Sequence, residues 1–100
     1  MFIINITFCV PPEVQGAWLE CINKMVLPLL KQTPYCGELL LTRVLHDVPQ
    51  PDHSYSLQVH VAHATDVQKF NDECMSEIAR TMQLAFPEKV YFFKTILKKV

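Results

Sequence analysis

The stretch F-I-I-N-I-T-F-C-V-P-P-E, residues 2–13, decides the fold, because it alternates for nine residues and then stops at two prolines. Phe2, Ile4, Ile6, Phe8 and Val10 share one side of an extended chain, and Ile3, Asn5, Thr7 and Cys9 share the other. A strand with one wholly apolar face and one mixed face belongs to a sheet covered by helices on one side only. Pro11 and Pro12 end the strand and open a helix, where a missing N–H costs nothing because first-turn donors have no intrahelical partner. Glu13 adds negative charge where the helix dipole favours it.

Outward from this stretch, Val14, Ala17/Trp18, Cys21/Ile22, Met25 and Leu29 keep the three- and four-residue spacing of an amphipathic helix. Pro28 withholds a donor from the carbonyl of Lys24, which predicts a kink or the end of the regular helix there. Thr33, Pro34 and Gly37 mark a loop. Residues 38–47 and 53–62 read as strands two and three, around a V-P-Q-P-D turn whose prolines cannot join a ladder. T-D-V-Q, Thr65 to Gln68, matches a capping box, and Val67, Phe70, Cys74, Ile78, Met82 and Ala85 follow at helical spacing. Pro87 stops this second helix and residues 89–100 form strand four. The order βαββαβ over a single domain, residues 1–100, predicts a ferredoxin-like α+β fold. Its four-stranded antiparallel sheet carries two helices on one face.

The other face of that sheet is bare, so its composition matters. Strand three points Tyr55, Leu57, Val59 and Val61 one way and Ser54, Ser56, Gln58 and His60 the other. Strand two has leucines on both sides. A guanidinium pressed under a helix would need a buried partner, so Leu39, Leu41, Arg43 and Leu45 are expected on the open face, and Leu40, Thr42, Val44 and His46 beneath the helices. Such a face is too apolar for a monomer and too polar for a dry core. The expected assembly is a homodimer packed sheet face to sheet face around a partly polar cavity. Arg43, Gln58, His60, Asn5 and Thr7 are its candidate ligand-pocket residues. A guanidinium beside an amide and hydroxyls suits a small carboxylate- or carbonyl-containing molecule.

Several function classes lack raw material. Nine basic and ten acidic residues leave a net charge of −1, which offers no footprint for nucleic acid or an anionic membrane. Gly16 and Gly37 are the only glycines, too few for a phosphate-cradling loop. The apolar opening run has no basic leader and is too short to span a bilayer, so the expected location is cytoplasmic. Cys9, Cys21, Cys36 and Cys74 form no C-x-x-C pair and are expected as buried thiols. His60 and His63, three apart in a strand, point to opposite faces, so neither metal nor cofactor is expected. C-V-P-P-E after strand one lacks both the C-x-x-C of metal chaperones and the glycine and arginine of acylphosphatases. RNA-binding sheets carry aromatics where this chain has Asn5, Thr7, Ser56 and Gln58.

Fragments in a fixed order carry one resemblance. They are I-I-N-I-T (Ile3 to Thr7), Trp18 with Pro28, L-x-T-R-V-L (Leu40 to Leu45), Y-S-x-Q (Tyr55 to Gln58) and F-K-T (Phe93 to Thr95). Together they resemble a family of short bacterial proteins, widespread in Bacteroidetes, that is catalogued as a domain of unknown function. The resemblance implies the dimeric α+β barrel and no activity. Val26 stands where the family often has a histidine, and Lys94 where it often has an arginine, so that imidazole is absent here. Three readings follow: a ligand-binding homodimer, a structural or regulatory homodimer without ligand, and an enzyme similar to cofactor-free monooxygenases or isomerases. The enzyme would need a proton-transfer group in the cavity, for which His60 is the histidine in place.

Overall fold

The computed structural model describes residues 1–100. Strand β1 (Phe2–Val10) pairs antiparallel with both β3 (His53–Val61) and β4 (Tyr91–Lys98), and β2 (Leu39–Val44) pairs with β3. The sheet order is β2-β3-β1-β4. Helices α1 (residues 12–31) and α2 (residues 64–85) close one side of it. Ile4, Ile6, Phe8 and Val10 are buried, so the alternation of β1 points as the sequence implied. Trp18 is core, its ring 5.1 Å from Phe8 and 4.7 Å from Tyr55, whose hydroxyl accepts a 2.7 Å hydrogen bond from Gln15 Nε2.

Both helices bury residues at a strict spacing of four: Trp18, Ile22, Val26 and Leu30 in α1, and Phe70, Cys74, Ile78, Met82 and Phe86 along α2 and just past its end. Four residues advance an α-helix by about 400°, so the run from Trp18 to Leu30 drifts about 120° round a regular helix and off the sheet. A π turn corrects the drift in each helix, over Ile22–Val26 and over Asn71–Met75. The expected stripe therefore needs correction: Met25 is 58% exposed and Val26 is buried in its place. Pro28 neither ends α1 nor isolates Leu30, because the π turn lies just before it, where the carbonyl of Lys24 has lost its usual donor. The cap of α2 is also corrected. His63, not Thr65, is the N-cap, and its N–H donates to the buried carboxylate of Asp66 at 3.1 Å.

The register of β2 is the main correction. Leu39 pairs with Val59, Leu41 with Leu57 and Arg43 with Tyr55, so these three lie on the helix side. Leu40, Thr42 and Val44, opposite Gln58, Ser56 and Ser54, take the open face. Leu45 and His46 fall past the strand, in the exposed loop. Arg43 escapes burial because β2 is an edge strand and its last residues lie beyond the helices' cover, where the guanidinium is exposed and donates to His53 Nδ1.

Candidate functional site

Paired residues in neighbouring strands share a face, so the ladder gives the open face row by row. The central rows are Leu40–Gln58–Asn5–Thr95 and Thr42–Ser56–Thr7–Phe93. Beyond them lie Val44–Ser54–Cys9–Tyr91 at one end and His60–Ile3–Leu97 at the other. Four of the five expected pocket residues, Asn5, Thr7, Gln58 and His60, therefore stand together. Arg43 is the fifth and lies on the opposite side. Tyr91 (63% exposed) and Phe93 (57% exposed) form the aromatic border of this surface, and nothing in the pattern of residues 89–100 alone assigns them to a face.

The polar groups at the centre are organised by one another. Ser56 Oγ donates to Asn5 Oδ1, which turns Asn5 Nδ2 toward Thr7 Oγ1 at 3.3 Å. Thr42 Oγ1 reaches the Ser56 carbonyl at 3.4 Å. Ser56 is buried within the sheet while its neighbours are half-buried or exposed. His60 is held at the sheet end by the loop that follows α1: Gly37 N–H donates to its carbonyl at 2.7 Å and its own N–H donates to the Glu38 carbonyl at 3.0 Å. A Cβ on Gly37 would lie 3.0 Å from that same carbonyl oxygen, so any larger residue would have to push this strand end aside by a few tenths of an ångström. His46 reaches the other end of this face at Ser54 Oγ, while His53 and His63 stand elsewhere, at Arg43 and the cap of α2. No three His, Cys, Asp or Glu side chains converge as metal ligands, and no helix is long and apolar enough to cross a membrane.

A second cluster lies on the helix side. Thr33 Oγ1 and Tyr35 Oη approach Cys74 Sγ at 3.8 and 3.7 Å, with the half-buried Cys36 beside them. Burial, and then the neighbouring Cys74, pushes the Cys36 thiol up from 9.0 to about 12. The thiol therefore stays protonated at neutral pH and is a poor nucleophile. The folded state favours the neutral form, so this stabilisation is complete below about pH 9 and is lost as pH rises toward 12. Urea midpoints should fall between pH 8 and 11, and fall less in Cys36→Ala; equal slopes in the two proteins would contradict the assignment.

Solved structures with the same fold exist at low sequence identity. A protein of the ethyl tert-butyl ether D (EthD) family from Bacillus halodurans superposes with a TM-score of 0.69 at 14% identity, covering 100% of both chains. A dimeric ferredoxin-like protein from an uncultured marine organism superposes with a TM-score of 0.66 at 10% identity, covering 99% of this chain and 97% of its own. No curated protein matches the sequence. The sequence model of DUF4286, a domain of unknown function, matches residues 1–100, and the protein belongs to that family.

Proposed function

We propose that the protein is a homodimer, joined through its open sheet face, whose inter-sheet cavity binds a small carbonyl-containing molecule. One observation carries this reading: a patch of neutral hydrogen-bonding groups (buried Ser56 with half-buried Asn5, Thr7 and Gln58) is ringed by exposed apolar side chains on a sheet face that no helix of this chain covers. The molecule is a slab only 18 Å thick along its shortest axis, a sheet plus one layer of helices. Four strands of this length project on the order of 500 Å² per copy, so two faces together cover on the order of 1,000 Å², at the lower edge of specific interfaces. A second copy is the occupant whose shape fits, and one structural neighbour is itself described as dimeric.

Light scattering should give roughly twice the 11.6 kDa chain mass. A carbonyl ligand at a hundredfold excess over its dissociation constant should then add about 2.7 kcal/mol of stability. For a domain of this size that is a rise of order 10 °C in Tm. A protein that stays monomeric at high micromolar concentration, or a dimer that no carbonyl compound stabilises, would contradict the proposal.

A further inference from the structure

We infer that the ligand of this cavity is uncharged, a neutral carbonyl compound with an apolar or aromatic body, and not a carboxylate. The inference rests on the reading of the open face as an inter-copy cavity and takes it one step further, to the class of ligand. Between two sheets a carboxylate loses its water and must find a cation or charge-assisted donors in exchange. The register places no arginine or lysine among the paired residues of the open face. Arg43 is across the sheet and engaged with His53, while Lys94 pairs with Ile6 on the helix side and donates to Asn71 Oδ1.

Neutral donors are what remain at the centre. Asn5 Oδ1 is already occupied by Ser56 Oγ, which leaves the second hydrogen of Nδ2 free beyond its contact with Thr7. The Thr7 hydroxyl accepts that contact and keeps its own proton to donate. Gln58 pairs with Asn5 across the ladder and adds a primary amide that no side chain in the chain engages. An amide, hydroxyl and amide of this kind suit one carbonyl oxygen and return an acceptor to an N–H or O–H beside it. Phe93 pairs with Thr7 and brings an exposed ring against the position such a ligand's body would take. Glu38 and His60 stand at the end of the face, beyond Gln58.

Matched pairs test the class directly: benzamide against benzoate, and 1-naphthamide against 1-naphthoate. Each is titrated calorimetrically into protein at pH 8, with the dimer mass verified by light scattering in the same buffer. We expect each amide that binds to do so at least about tenfold more tightly than its acid, the equivalent of one neutral hydrogen bond or more. Thr7→Val and Gln58→Leu should each weaken amide binding about tenfold without changing the mass. An acid that binds as well as its amide, or a verified dimer that binds neither amide, overturns the inference and leaves the dimer standing. A monomer in the same buffer removes the cavity itself, and the inference with it.

Discussion

Phe93→Glu should scatter as a folded monomer of 11.6 kDa under conditions in which the parent protein is a dimer. Phe93 is 57% exposed in the single chain, so the fold gains little from it and loses little without it. In a face-to-face dimer each copy of its ring is covered, and covering an apolar ring of that size stabilises by about 1.5–3 kcal/mol. Glutamate forfeits that gain twice across the two-fold axis. It also places two unpaired carboxylates in a desolvated interface at several kcal/mol each. A micromolar dimer is held by only about 8 kcal/mol, so the variant should not associate at such concentrations. Lowering the pH to about 4 protonates the carboxylate and should restore part of the dimer. Leu84→Glu is the control: Leu84 is 71% exposed on the outer surface of α2, and its replacement should leave the mass unchanged. If Phe93→Glu remains dimeric while Leu84→Glu dissociates, the copies meet through their helices and the cavity does not exist.

The variant a reader of the sequence would choose first, Leu41→Glu, now tests something else. Leu41 packs against the core under the helices, so glutamate there should lower Tm before it changes the mass. The reason lies in one residue. Strand three declares its faces by clean alternation, and β1 does the same, so both were legible from their own side chains. Strand two carries Leu39, Leu40 and Leu41 in succession, and only the cost of burying Arg43 separated its two registers. That cost applies only where the helices cover the whole strand. They leave its end open, and Arg43 reaches water from the helix side. The candidate site inherited the error through Arg43 alone, since Asn5, Thr7, Gln58 and His60 lie on strands whose pattern was unambiguous. Tyr91 and Phe93 follow from the same rule of alternation once the register of β4 against β1 is known.

The strict spacing of four in α1 was also present in the sequence, and it leads to the other large effect. Val14, Trp18, Ile22, Val26 and Leu30 are compatible with one face only if an extra residue is absorbed between Ile22 and Val26. Deleting Asn23, an exposed residue in that turn, changes the spacing after Ile22 from four to three. The apolar positions then fall within about 80° of one another round a regular α-helix, so the π turn is no longer needed. The deletion should fold, with Val26 and Leu30 still against the sheet. Inserting an alanine after Asn23 should do the opposite, rotating both side chains by about 100° toward solvent. Each is fully or almost fully buried, and exposing the pair should cost about 3–6 kcal/mol, much of the stability of a domain this small. Urea unfolding of the two variants should give a midpoint near the parent's for the deletion and a partly unfolded protein for the insertion. If the deletion is as damaging as the insertion, the π turn is not a correction for the spacing, and its place in the middle of α1 needs another cause.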